Sequence, residues 1–551
     1  MLEKLASLSK KTISLPNLVF FVVPQILFWM SILHNISLPG LYYDEAGNDS
    51  NVPSIINNSL NNPQMLFPGV GIPLLSSLYQ GIPATYSSWL VLSILGSNIF
   101  TIRIAHAIYG ALILFFFQLL LKSLRQERRL SFLVSILFAT DMAFIASYRD
   151  QYQAVLTGAP FLILSLYLTQ RFTTQNKSKK LLVGAGVALG FSMYCYFPYA
   201  MFLVPLAFHV CTIQCDLKPY RKFAYWVAGV ALGVMPYVLG YFSTYMWAGR
   251  NWDTFVSTIE SMRTQINPLS SDASYYEKVH VSVGLLQSAL TNSGNNAMIL
   301  GLNGTQSLVR WNLGFTIFVL ALFTALILCI VSRSFRMSRF NLLVVNSILI
   351  FFFSISFFGS RLGPWHFTPL ISLAYILIFI VSSNIADLSR HLQIVKKLRI
   401  VLQPLILVAA LTFLSLNFFQ QKAFHEQLKA SGGVGKTTSA LFAMQYDALH
   451  EGRETTYFFP EWGFSTSFVM ITDNRVRFSY DARPEMFERE QVLGRDIAIL
   501  TWEREKAEEW VVTLESLKLQ AKIETYYTRQ KNEAFYKVVG FTNQIPQDLS
   551  N

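Results

Sequence analysis

Long apolar segments separated by short basic stretches dominate this chain. The apolar runs cover residues 16–34, 101–121, 130–147, 153–170, 181–196, 197–214, 223–241, 313–332, 340–358, 367–385 and 400–420. A helix needs about 20 apolar residues to cross the hydrocarbon core, or somewhat fewer where the bilayer thins. The pattern therefore predicts eleven membrane helices, with 130–170 and 181–214 each folded as a tight hairpin. The alternative for 181–214, one long tilted helix, would reverse the orientation of everything after it.

The basic residues decide between the two. Lys4, Lys10 and Lys11 precede the first run, and Lys122, Arg125, Arg128 and Arg129 follow the second. Later clusters are Arg171/Lys177/Lys179/Lys180, Lys218/Arg221/Lys222, Arg333/Arg336/Arg339 and Arg390/Lys396/Lys397/Arg399. Eleven spans put every cluster on the cytoplasmic side, as the positive-inside rule requires. The N-terminus is then inside and the C-terminus outside, which suits a bacterial plasma membrane. The first run lacks a small-residue cleavage site and reads as a retained anchor. In this topology residues 1–420 form a membrane module with external loops 35–100 and 242–312. Within the first loop, 74–95 reads as one or two helices lying along the interface.

Residues 421–551 form a separate extracytoplasmic domain in which the pattern changes to short mixed segments. Helices are expected at 437–449, 462–472 and 503–517, and strands at 455–459, 475–479, 497–500, 523–528 and 535–541. That alternation defines a small α/β domain.

Composition agrees with the membrane reading. The 551 residues are 52% hydrophobic and 14% charged, against roughly 25% charged in soluble domains. A net charge of +12 would suggest nucleic acid in a soluble protein, but here topology accounts for the basic loops. Cys195, Cys211, Cys215 and Cys329 all lie in or beside apolar runs, so no disulfide framework is built in the tail.

Polar groups at the external surface carry the candidate chemistry. Asp44 and Glu45, after Tyr42 and Tyr43, sit about ten residues beyond the first run. One carboxylate can accept a proton from a hydroxyl nucleophile, and the other can orient the loop or bind the acceptor. The plain alternative is a solvated pair capping a short helix. Arg103, Arg149, Arg361 and His366 also fall on the external side, against the charge rule, with Asp150 next to Arg149. Such cations suit a lipid-linked phosphate, which Arg grips through a bidentate fork; the plain alternative is snorkelling and local ion pairing. Tyr194, Tyr196 and Tyr199 read as interfacial packing. Tyr43 and Asp150 are candidates for positioning the acceptor or the loop.

Two other signals carry less. Gly432-Gly433-Val434-Gly435-Lys436-Thr437-Thr438 resembles a nucleotide-binding P-loop, but Ala430 stands where its first glycine belongs and no apolar strand precedes it. It is expected to be a turn capping the next helix, without ATP. Asp44, Glu45, Asp49 and Asp150 leave a divalent cation open, but their spacing is not diagnostic and no other cofactor is indicated. Sequons at Asn35, Asn48, Asn57 and Asn303 lie outside in this topology.

The order of these motifs resembles the dolichyl-phosphate-mannose protein mannosyltransferase and aminoarabinose transferase family of GT-C membrane glycosyltransferases. The features that carry the resemblance are the Asp-Glu pair, the segment Asn98–Ile104 with Arg103, the turn Tyr148-Arg149-Asp150 and the segment Arg361–Phe367. The tail, with Gly432-Gly433 and Trp462-Gly463, is similar to the family's extracytoplasmic domain. Trp365 stands where some relatives have a first His.

The resemblance implies a sugar donor on a polyprenyl phosphate, transferred with inversion to a hydroxyl of a lipid, glycan or protein. Asp44 matches the catalytic acidic position and Glu45 its neighbour. Arg103, Arg149, Arg361 and His366 then serve the donor phosphate. Rival readings are a transporter, flippase or ligase for lipid-linked saccharides, or a non-enzymatic membrane subunit. A transporter would be expected to show paired repeats or broken helices in both halves, and the sequence shows no clear halves.

Overall fold

The computed structural model describes residues 15–47, 74–77, 80–124, 128–149, 154–174, 178–214, 217–247, 249–257, 273–302, 313–391, 393–451 and 454–541. Seven helices among these are long and apolar enough to cross a membrane, which makes the chain a multi-pass integral membrane protein. They are Leu15–Leu33, Ile99–Ser123, Val155–Thr174, Pro219–Met246, Gly314–Val331, Arg339–Gly359 and Pro364–Ala386. An eighth crossing results if Arg128–Ala139 and Met142–Arg149, bent by 50°, act together.

The eleven predicted runs all fall on helices, but not all are of spanning length. Lys179–Cys195 has 17 residues and Leu203–Thr212 has 10, short for a straight crossing. The 400–420 run lies within a 39-residue helix, Gln393–Ser431, which continues past the change in composition at Gln420. Between the Leu15–Leu33 and Ile99–Ser123 helices, a two-stranded hairpin, β1 (Leu75–Ser77) with β2 (Gln80–Gly81), precedes the Pro83–Leu95 helix.

The bend at Thr140–Asp141 has an identifiable cause. Asp141 accepts from the Phe144 amide at 3.0 Å, capping the second half, and from the Tyr375 hydroxyl at 2.7 Å. The long C-terminal helix satisfies carbonyls beside the break. Asn417 donates to the Leu137 carbonyl at 3.2 Å, and Gln421 donates to that of Thr140 at 2.6 Å. A broken helix persists in hydrocarbon only when neighbours re-satisfy its backbone in this way.

Elsewhere small residues set the packing. Gly186 and Gly190 face Gly229 and Gly233 of the Pro219–Trp247 helix. A Cβ on Gly186 would lie 2.1 Å from the Trp226 carbonyl oxygen, and one on Gly190 2.2 Å from that of Val230. Two small-xxx-small stripes thus let the backbones touch. Gly190→Leu is expected to force these helices apart. The loss of the monodisperse peak in size-exclusion chromatography in detergent, relative to Ala188→Ser, checks this.

The C-terminal domain carries a five-stranded sheet in the order β4-β3-β5-β7-β6. These strands are β3 Thr455–Phe458, β4 Phe478–Ser479, β5 Asp496–Thr501, β6 Gln520–Tyr527 and β7 Glu533–Phe541. β3 runs parallel to β4 and β5, and β7 is antiparallel to β5 and β6. β5 is buried throughout. Its side chains alternate, as a strand's must. Ala498 and Leu500 meet Leu441 and Phe468 on one face, while Ile497 and Ile499 meet Phe487 and Leu514 on the other. The expected strands and helices are present with shifted ends, and the Pro484–Val492 helix is an addition to them.

Candidate active site

Just past the Leu15–Leu33 helix, Asn35 takes a left-handed conformation, φ 53°. Arg149 closes this helix end. Its Nε donates to the Ile32 carbonyl at 3.1 Å and its Nη2 to those of His34 and Asn35 at 2.8 and 2.5 Å. A fully buried guanidinium thus answers carbonyls that the last turn leaves open and faces the negative end of the helix dipole.

The chain then reaches the short Tyr43–Gly47 helix, whose first turn carries Asp44 and Glu45. Arg103 meets it from the second turn of the Ile99–Ser123 helix, whose start is fixed by an Asn98–Thr101 capping box. Arg103 Nε and Nη2 donate to the two Glu45 carboxylate oxygens at 2.8 and 3.2 Å. Its Nη1 donates to the Ile36 carbonyl at 2.7 Å and Nη2 to that of Gly40 at 3.4 Å. Both side chains of the ion pair are fully buried. The Tyr42 amide also donates to Glu45, at 3.3 Å.

Successive helical residues point about 100° apart, and Asp44 leaves the buried side. It is only half-buried. The Tyr42 hydroxyl bonds to it, and burial first, then the Asp44 charge, pushes that phenol's pKa well up, so Tyr42 stays a neutral partner.

The C-terminal domain roofs this loop. The Gly40 amide donates to the Thr437 carbonyl at 2.8 Å, and the Val434 amide to that of Ile299 at 3.0 Å. Gly433, at φ 89°, leaves no room for a Cβ, which would lie 2.6 Å from the Pro39 Cβ. The glycine-rich run is therefore a docking turn, followed by a three-residue 3-10 helix, Gly435–Thr437, and preceded by the Gln393–Ser431 helix rather than a strand. A Cβ on Gly40 would lie 2.0 Å from the Thr438 carbonyl oxygen. Gly40→Ala is expected to undock the domain, seen as faster proteolysis between residues 431 and 440 than in wild type.

Trp462 carries the roof over the acidic pair. Its ring centroid is 4.7 Å from that of Tyr43 and 5.9 Å from that of Tyr42, and Lys436 Nζ sits 4.2 Å over it. Thr466 donates to the Tyr43 carbonyl at 2.7 Å. Sequence reasoning had no route to these contacts, because the partners lie about 420 residues apart. Only the Trp462-Gly463 pair stood out, with no role attached.

Arg361 and His366 belong to a second cluster. Arg361 is exposed at the end of the Ser356–Arg361 3-10 helix. His366 Nδ1 accepts from the Gly363 amide at 2.9 Å, which places the ring proton on Nε2, 3.3 Å from the Tyr196 hydroxyl. Lys278, only 8% exposed, packs its stem near Gly359 and is a further cation that charge clustering did not single out. Tyr194 and Tyr199 are buried, donating to the Leu74 and Val155 carbonyls at 2.6 and 2.5 Å. Asp49 and Asp150 lie outside the described residues. Among those described, no three His, Cys, Asp or Glu side chains are grouped to hold a metal.

The fold, a bundle of apolar helices with a mixed-sheet domain docked over the loop that carries Asp44 and Glu45, is similar to that of several membrane proteins of known structure. ArnT from Cupriavidus metallidurans in the apo state aligns over 95% of this chain and 97% of its own, with TM-score 0.59 and 11% identity. Bound to undecaprenyl phosphate, the same protein gives 0.55 with the same identity and coverage. The Archaeoglobus fulgidus oligosaccharyltransferase in its apo form gives 0.51 at 13% identity, over 92% of this chain and 72% of its own. The profile of the dolichyl-phosphate-mannose-protein mannosyltransferase family matches residues 80–240. No curated protein matches by sequence.

Proposed function

We propose that this protein transfers a sugar from a polyprenyl-phosphate donor to a hydroxyl of a lipid, glycan or protein acceptor, at the extracytoplasmic face and with inversion. The observation that carries the reading is the division of labour in the acidic pair. Glu45 is locked by Arg103, whereas Asp44 stays half-buried at the edge of the docked domain. Asp44 takes the acceptor's proton as its oxygen attacks the anomeric carbon. The bond from that carbon to the phosphate oxygen breaks, and the electron pair leaves with the lipid phosphate. Charge developing there is best stabilised by preorganised donors. Arg361 takes this role, with His366 holding Tyr196. Arg103 and Arg149 act as positioning residues, since both are fully buried and hold Glu45 and the backbone carbonyls of the first loop. The likeness of the fold to ArnT, and the undecaprenyl phosphate bound in that ArnT structure, support the donor class.

Arg361→Ala should weaken binding of a polyprenyl-phosphate sugar by about 10- to 100-fold, the effect of losing a charge-assisted hydrogen bond of about 1.5–3 kcal/mol. Arg361→Lys should restore part of it. Equal donor affinity in wild type and Arg361→Ala, measured in one detergent, would move the phosphate elsewhere.

The eleven-span topology, with the C-terminal domain outside, belongs to the same proposal. A cysteine at Arg221 should be shielded from an impermeant thiol reagent in intact cells, and one at Glu485 should react. The reverse pattern would invert the protein. Sealed proteoliposomes separate transfer from transport. A transferase consumes donor in the leaflet it faces, whereas a flippase moves donor between leaflets and leaves it intact.

A further inference from the structure

A cavity of about 500 Å³ opens between the Leu15–Leu33 and Gln393–Ser431 helices, apart from the acidic pair. The long helix presents one stripe to it: Phe418, Lys422, His425 and Lys429. Spacings of four, three and four residues keep these side chains on a single face. Leu27 and Met30 of the first helix continue the apolar end. Met30 also lines a second, almost wholly apolar cavity of about 590 Å³ beside the Ile99–Ser123 helix.

The polar end is unusual. His425 is 6% exposed, and neither ring nitrogen has a hydrogen-bond partner. The His34 ring meets it edge-on at 4.6 Å and supplies none. Buried polar atoms are paired in nearly all cases, so an orphaned imidazole facing a cavity marks a place for a ligand. Among the described residues of the lining the one carboxylate is Glu426, 3.8 Å from Lys422 on an exposed surface, which leaves Lys429 without a carboxylate partner there. The polar end lies beside His34 and Asn35, just past the end of the first helix.

We infer that this cavity is a second lipid site, which binds the anionic phosphate headgroup of a membrane lipid. The imidazole N–H and the two ammonium groups face the phosphate, and a chain lies over Leu27, Met30 and Phe418. A membrane phospholipid and a polyprenyl phosphate share this chemistry. The site is independent of the donor phosphate at Arg361.

The test uses the full chain in detergent, in the Arg361→Ala background, so that the proposed donor site does not contribute. Three probes are titrated: dioctanoyl phosphatidylglycerol, dioctanoyl phosphatidylcholine and farnesyl phosphate. At least one anionic probe should bind more tightly than phosphatidylcholine. Its Kd should rise about tenfold or more in Lys422→Ala/Lys429→Ala, a change confined to exposed side chains, and again in His425→Leu. Which anionic probe responds identifies the source, a phospholipid or the polyprenyl carrier. Equal affinity for all three probes, no binding of either anion, or affinity unchanged in the lysine double variant would overturn the inference. Asp44→Asn should leave this binding intact, so its outcome does not depend on the transferase reading.

Discussion

Asp44→Asn should lower turnover by about 10²- to 10⁴-fold, the range that a positioned general base contributes, while the protein stays folded. The substitution keeps the shape and the hydrogen bond from Tyr42 but removes the proton acceptor. Glu45→Asp is the informative contrast. It keeps the charge but draws the carboxylate back from Arg103, so its losses should appear in stability as well as in rate. If Asp44→Asn kept near-native turnover with a verified donor, the base would lie elsewhere, and Asp150 would be next.

Arg103→Ala should destabilise the protein by about 3–5 kcal/mol, the usual result of stranding one partner of a buried ion pair. Both groups are fully out of solvent, and the guanidinium also holds the Ile36 and Gly40 carbonyls. The loss should appear as a lower midpoint of thermal unfolding in detergent. Replacing both partners together, Glu45→Leu with Arg103→Met, should recover much of the stability, because no buried charge then remains. Activity should not return with it, since the loop would no longer be held by the fork. An Arg103→Ala protein as stable as wild type but unable to bind donor would instead assign Arg103 to the phosphate.

The helices were legible because hydrophobic periodicity is local. Each apolar run became a helix, and the alternating segments of the tail became the sheet and the helices on both its faces. What the sequence did not carry was set by distant partners. The bend at Thr140–Asp141 depends on Asn417 and Gln421, about 280 residues away. The end of the last apolar run looked like a domain boundary, yet the helix continues to Ser431 because buried Phe424 and Leu428 pack in a cluster with Met142 and Ile299. The glycines of the P-loop-like run read as a turn, but their close approach to Pro39 was not legible, because it comes from the far end of the chain.

The candidate site was legible in its members more than in their roles. Asp44 and Glu45 stood out as charges at a membrane surface. Their different surroundings follow from the 100° between neighbours on a helix and from Arg103, which periodicity cannot aim. Four cations on the external side suggested a phosphate site. In the folded chain they divide: Arg103 and Arg149 are buried against the first loop, whereas Arg361 and His366 sit on a segment that packs against the second.

The proposed transfer of a sugar from a lipid phosphate turns on Asp44. The most direct measurement is release of polyprenyl phosphate from a labelled polyprenyl-phosphate sugar, by purified protein in liposomes with a mixed lipid, glycan and protein acceptor extract. Wild type should release the lipid phosphate in step with sugar appearing on acceptor, and Asp44→Asn should release about 10²-fold less or lower still. Equal release by wild type and Asp44→Asn, or intact donor after wild type has bound it, would contradict the account.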